Sequence, residues 1–224
     1  AQIRPVESLP IAVNYSKTIH LIFPSAVKYS QAVTDFVAVD NPENVPHILR
    51  IKANSKSFSK QTTVSVATEG GFFYSFNVSY ADSLEQTNYF LPDMRSIAPD
   101  TVFINEVSQT HLIAPEKVIY IDYGDTCINV SKAENTENII RMIARSGRVQ
   151  QFPKQTNVSF ATESGRFFTF NVDYREKPEA FVYEVGEKKP EKKANVILTD
   201  NIIPAGERDD VMNRVYNAKR QIYN

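Results

Sequence analysis

A chain of 224 residues with 42% hydrophobic and 23% charged side chains has enough apolar material for true cores, which excludes wholesale disorder. Its 25 Lys and Arg against 26 Asp and Glu leave a net charge of −1, which excludes a broad non-specific grip on nucleic acid. One cysteine, Cys127, excludes an internal disulfide and a cysteine zinc cage, and three scattered histidines, His20, His47 and His111, leave no dense metal site, so no cofactor is expected.

The chain opens on Ala1-Gln2-Ile3 without an initiator Met or an apolar leader, as a processed export product or a chain expressed without its leader would. No run of 18 apolar residues follows, so no membrane-spanning helix is expected. Short apolar and β-branched runs at 11–15, 18–23, 27–31, 36–40 and 48–53 read as strands. The clearest alternation comes next. Val64 and Val66 share one face of a run, and Tyr74, Phe76, Val78 and Tyr80 share one face of its successor. Glu69-Gly70-Gly71 between them supplies the turn of a hairpin. Residues 83–101, with Pro92 and Pro99, read as a linker.

Beyond the linker the pattern starts again. Residues 152–174 repeat residues 58–80 with 15 identities in 23 ungapped positions, where chance gives about one or two. Upstream, Asn14, His20, Pro24, Tyr29 and Arg50 recur as Asn105, His111, Pro115, Tyr120 and Arg141, at a spacing of 91 in place of 94. The second copy therefore carries three extra residues, near 146–151. Its early strands are expected at 102–106, 110–114, 118–122, 127–132 and 139–144. Residues 138–145 have helical propensity, but their counterpart begins at Pro46, so both read as strands. About seven short strands, twice over, predict an all-β fold: two tandem Ig-like antiparallel β-sandwich domains from an internal duplication, plus a short C-terminal helical tail.

The spans are 1–82 for the first sandwich, 83–101 for the linker, 102–185 for the second sandwich with a further strand at 181–185, and 186–224 for the tail. The tail opens with a charged, Pro-containing stretch at 186–194. From Glu207 onward, Val211, Val215 and Ile222 fall on one helical face, and an isolated helix of that length needs a surface to dock on. The stop at Asn224, just past this helix, reads as a truncation.

No nucleophile elbow, P-loop, H-E-x-x-H or dinucleotide fingerprint is present, so no catalytic, metal or cofactor residue is assigned and no enzyme is expected. His20 and His111 read as edge or turn histidines of the shared framework. Arg50 and Arg141 sit mid-strand and point outward, as partner anchors or as solvated residues. Together with Val211, Val215 and Ile222 they form the candidate partner surface. Lys60-Gln61-Thr62 and Lys154-Gln155-Thr156 read as strand entries. Asn14, Asn77, Asn129 and Asn157 open N-x-S sequons but read as outward polar positions, and Cys127 reads as buried. Phe76 and Phe170 are expected to be equivalent buried core residues.

The series His-Leu-Ile-Phe-Pro-x-x-Val-x-Tyr at 20–29, Glu43-Asn44, Arg50-Ile51-Lys52-Ala53, Thr-x-Val-x-Val at 62–66 and Gly-x-Phe-Tyr-Ser-Phe-Asn-Val-x-Tyr-Ala at 71–81 resembles the TraN family of conjugative transposons of Bacteroidetes, here with its sandwich unit duplicated. That family is similar in role to the β-sandwich subunit of the outer-membrane core complex of type IV secretion systems. The resemblance implies a non-enzymatic structural component of a conjugative transfer apparatus in the cell envelope. It implies a periplasmic or outer-membrane-associated location after loss of a signal peptide. It also implies other envelope proteins as partners, no direct contact with nucleic acid, and room for a homo-oligomer. The alternative is a surface adhesin or glycan-binding Ig-like module. Against that stands the alternation, which turns most Tyr and Phe inward.

Overall fold

The computed structural model of the chain describes residues 7–96 and 98–186. Val211, Val215, Ile222 and the expected tail helix lie outside the described residues. The first domain runs β1 (Ser8–Val13), β2 (Ile19–Ile22), β3 (Val27–Ala32), β4 (Val37–Asp40), β5 (Ile48–Ala53), β6 (Thr62–Thr68), β7 (Phe73–Tyr80) and β8 (Asn88–Phe90). The second repeats it as β9 (Asp100–Ile104), β10 (Thr110–Ile113), β11 (Val118–Tyr123), β12 (Ile128–Lys132), β13 (Ile139–Ala144), β14 (Thr156–Thr162), β15 (Phe167–Tyr174) and β16 (Val182–Glu184). Each domain is a sandwich of two four-stranded sheets. Their orders are β1-β7-β6-β3 with β4-β5-β2-β8, and β9-β15-β14-β11 with β12-β13-β10-β16.

Hairpin neighbours pair antiparallel, but four edge pairs are parallel: β1 with β7, β2 with β8, β9 with β15 and β10 with β16. Most of a domain separates the partners in each case, so no tight turn forces them to run opposite. The span read as a linker, 83–101, is partly domain. β8 completes the sheet beside β2, and β9 already begins at Asp100. β8 holds only Tyr89 and Phe90 as apolar residues and stands close before Pro92, so it reads as linker, whereas its counterpart β16 lies in the apolar run Phe181-Val182-Tyr183. The three extra residues of the second copy are taken up in a short 3-10 turn, Val149–Gln151.

The period-2 pattern sorts side chains as the pleat requires. In β6, Thr62, Val64, Val66 and Thr68 are buried while Thr63, Ser65 and Ala67 are only half-buried on the other side. Separate apolar cores result, one around Ile11, Leu21, Leu49, Ile51 and Phe76, the other around Ile104, Leu112, Ile140, Met142 and Phe160. Gly71 and Gly165 hold φ of +79 and +80 at the same hairpin turn, the left-handed region that explains glycine in both copies.

Phe170 departs from expectation. Phe76 is fully buried, but Phe170 is only half-buried. The cause is volume: Val66 of the first copy is Phe160 in the second, and Phe160 fills the core with Phe170 stacked at 6.1 Å over it. Cores close at fixed density, so the larger ring inside displaces its neighbour outward. Phe76→Ala and Phe160→Ala should each cost about 3–5 kcal/mol, and Phe170→Ala clearly less. Denaturant titration of the three variants checks this; equal losses for Phe160 and Phe170 would contradict it.

Candidate functional site

The two domains meet through opposite kinds of face. Domain one presents the outer face of β4-β5-β2-β8 and the loop at 14–18. Domain two presents the outer face of β11-β14-β15-β9. Ile22, Val45 and Ile48 from the first pack on Tyr120 and Ala161 of the second, with Phe90, Ile119 and Phe167 at the margin.

The loop at 14–18 is shaped locally. The Asn14 side-chain oxygen accepts from the backbone N–H groups of Ser16 and Lys17, at 3.2 and 2.8 Å, an Asx turn that Asn105 repeats in the second copy. The turn aims the loop at β14. Thr18 N–H donates to Asn157 Oδ1 at 3.0 Å, Asn157 Nδ2 donates back to Thr18 O at 2.9 Å, and Thr156 Oγ1 donates to Ser16 O at 2.7 Å. Gly124 permits this approach: a Cβ there would come within 2.5 Å of Ser16 O and 2.8 Å of Lys17 Cα. Lys17 is 3% exposed, and its ammonium donates to Leu84 O at 2.9 Å, Gln155 Oε1 at 2.6 Å and Asn171 Oδ1 at 2.9 Å. Burial lowers its pKa, with Asp173 acting against that shift.

A second polar cluster lies on the strands. His20 and Arg50 face each other across the β2–β5 ladder. His20, wholly buried, has Nε2 3.1 Å from the Tyr120 hydroxyl and 3.5 Å from Asp122 Oδ2, and its ring lies 5.0 Å from that of Phe167. Arg50 Nη1 donates to Asp122 Oδ1 at 2.7 Å, and its other terminal nitrogen pairs with Asp40. Burial pushes the Asp122 carboxyl up, but His20 and Arg50 outweigh it and hold the group below the ordinary carboxylate value. Burial works against the Arg50 charge too, yet Asp40 and Asp122 keep it firmly protonated. Burial, then Asp122, drives the Tyr120 phenol far above its ordinary value. Lys52 closes the rim by donating to Gly124 O.

His20 is thus neither an edge nor a turn residue; it is the centre of a junction. Its counterpart His111 is half-buried on the outer face of β10. Arg50 anchors domain two, whereas Arg141 stays on its own domain, bonding Ser131 Oγ at 2.9 Å and pairing with Glu134 at 3.8 Å. Asn14 and Asn157, read as outward polar positions, are buried. Gln155 and Thr156, read as a strand entry, are junction contacts. Lys17, Asp122 and Gly124 escaped the sequence reading altogether, and so did the junction role of Asn157. Their signal was divergence, because the other copy has Ser108, Gln31, Val33 and Thr63 at these places.

Open grooves of about 600 and 590 Å³ flank the junction, the first along Phe90, Pro99 and Phe167, the second along Tyr15, Tyr80 and Cys127. Burial and the neighbouring Asp125 push the Cys127 thiol up to about 12, so it is a poor nucleophile at neutral pH. Among the described residues no group of three or more His, Cys, Asp or Glu could hold a metal ion, and no helix is long and apolar enough to cross a membrane.

The family model of DUF8473, a domain of unknown function, matches residues 11–84 and 102–178, more than half of the chain. The chain belongs to this family, with one copy of the domain in each sandwich. No curated protein matches it. Among solved structures, a titin tandem of Ig domains is 10% identical with a TM-score of 0.22, over 80% of this chain and 95% of that one. Protocadherin Gamma C5 is 11% identical with a TM-score of 0.24, over 81% and 67%. The SGBP-B protein of the Bacteroides ovatus mixed-linkage glucan utilization locus is 10% identical with a TM-score of 0.22, over 79% and 46%. Scores this low carry no argument about function or domain arrangement.

Two predictions follow from the junction geometry. Asp122→Ala removes the carboxylate that accepts from Arg50 and lies beside His20, and should cost about 1.5–3 kcal/mol, the scale of hydrogen bonds to charged groups. Calorimetry should show the wild-type domains melting together and the variant domains melting separately. The pH dependence has a fixed sign. The unfolded Asp122 carboxyl titrates near 3.8 and the folded one lower, so its contribution is complete above that value and is lost as pH falls through the folded pKa. Acid titration of stability should therefore be flatter in Asp122→Ala than in the wild type; parallel curves would contradict the assignment.

Proposed function

We propose that this two-domain member of DUF8473 is a non-enzymatic structural component of a conjugative transfer apparatus, of the type IV secretion kind, acting in the cell envelope through protein–protein contacts. The observation that carries the structural reading is the junction: it fixes one sandwich on the other, as a rigid spacer in an assembly requires. The groups with most chemical potential are buried there. His20 is enclosed by Tyr120, Asp122 and Phe167, and Lys17 has all three of its donors engaged. The resemblance of residues 20–81 to the TraN family supports the apparatus and the periplasmic side of the envelope.

One observation favours a second reading, a surface adhesin or glycan-binding module. Tyr29 and Phe73 are 46% and 53% exposed on the outer face of β3-β6-β7-β1, and exposed aromatic planes suit sugar rings. Crosslinking from a tagged chain in cells that carry the transfer genes separates the two. The proposal expects envelope components of that system to be recovered and purified protein to ignore DNA at moderate salt. Retention on a polysaccharide that is lost in Phe73→Ser, with no transfer component recovered, would favour the second reading.

A further inference from the structure

The junction is heterologous. Domain one uses its β4-β5-β2-β8 face, and domain two uses β11-β14-β15-β9, whose counterpart in domain one is β3-β6-β7-β1. Two outer faces are left over, and by the repeat they are the two halves of the same junction. We propose that a second copy of this chain docks head to tail, its β12-β13-β10-β16 face on the β1-β7-β6-β3 face of the first.

Both faces have the character of covered surfaces. On domain one, Tyr29 and Phe73 are the counterparts of Tyr120 and Phe167, which domain one covers in the junction. On domain two, Ile113, Ile139 and Ile143 occupy the outward positions of β10 and β13, between core residues Leu112, Ile140, Met142 and Ala144. Val182, 58% exposed, stands beside His111 in the ladder. An outward sheet face facing water is ordinarily polar. Apolar side chains gathered there mark a contact surface.

The strand-face pairs have counterparts too, although Lys17 and Asn157 are replaced by Ser108 and Thr63 and their bonds are not repeated. His20 against Tyr120 and Phe167 becomes His111 against Tyr29 and Phe73. Arg50 against Asp122 becomes Arg141 against Gln31, a guanidinium facing an amide oxygen. Lys52 against the Gly124 carbonyl becomes Ile143 against Val33, so both sides turn apolar together. Val33 is 69% exposed, as an unmatched apolar residue would be. The same residue makes the outer contact looser than the inner one, since a Cβ at this corner meets the partner loop. The precedent for what covers a Tyr and Phe pair on this face is a sandwich, not a sugar. A heterologous contact leaves one unused face on each partner of a dimer, so further copies can add, as a ring if the rotation closes and as a line if it does not. This holds whichever apparatus the protein serves.

Sedimentation velocity of the full chain over a range of concentrations tests the proposal. The apparent mass should rise with concentration and pass beyond the dimer. Phe73→Asp and Ile143→Asp should each weaken association about tenfold or more, as loss of a central apolar anchor does. Both side chains point outward, so circular dichroism should be unchanged. Each variant keeps the opposite face intact, so a one-to-one mixture should form mixed dimers and nothing larger. A wild-type chain that stays monomeric overturns the proposal and leaves residues 187–224 or a saccharide as the occupant. A variant that associates alone as tightly as the wild type overturns it as well, because the contact would then use another surface.

Discussion

An ammonium placed between two protein surfaces must have its three N–H donors met there, or it will not stay. Lys17 is that ammonium. One acceptor, Leu84 O, is in its own domain, and two, Gln155 and Asn171, are in the other. Three fixed directions shared between two bodies leave little freedom of rotation. The Asx turn at Asn14, the Asn157 clasp on Thr18 and the bare backbone at Gly124 all serve the approach that brings those acceptors within reach. Arg50 and Asp122 then fix the far side through a pair that is mostly removed from water, where breaking one partner costs far more than at a surface.

The duplication explains how such a junction arises. Two identical sandwiches have two outer faces each, and any contact between unlike faces leaves the complementary pair free at the ends. Divergence then works on one contact at a time. Inside the junction the differing positions carry charges: Lys17, Lys52 and Asp122. At the free ends the same positions are Ser108, Ile143 and Gln31. The framework residues did not move: His20 with His111, Arg50 with Arg141, and Tyr29 with Tyr120 remain identical on both sides. One ancestral contact surface serves for both the inner junction and the outer faces.

The sandwich was legible because period-2 alternation is a local signal, written twice. Val64 and Val66 announced a buried strand face, and the counterpart in the first copy, which begins at Pro46, decided for a strand at β13 against its helical propensity. β8 was illegible because Pro92 and Pro99 made its stretch read as a linker, although its equally short counterpart β16 was read as a strand. Phe170 was misjudged because its burial depends on the size of Phe160 across the core, a non-local fact. The junction was hidden for a related reason. An outward strand position looks the same in sequence whether it faces water or another domain. His20 and His111 are identical residues in equivalent strands, yet the first is wholly buried and the second is not. Only a comparison of the copies, asking where outward residues differ, could have pointed to Lys17, Asp122 and Gly124.

The central claim is that the junction makes the two sandwiches one rigid body. The most direct measurement is a spin-label distance across it, with nitroxides on Ser57→Cys and Ser146→Cys. Both positions are exposed, and Cys127, buried and with its thiol pushed up to about 12, stays unlabelled. A single narrow distance distribution, broadened by Gly124→Ala, is the result predicted. A distribution that is broad in the wild type and unchanged in the variant would contradict the account.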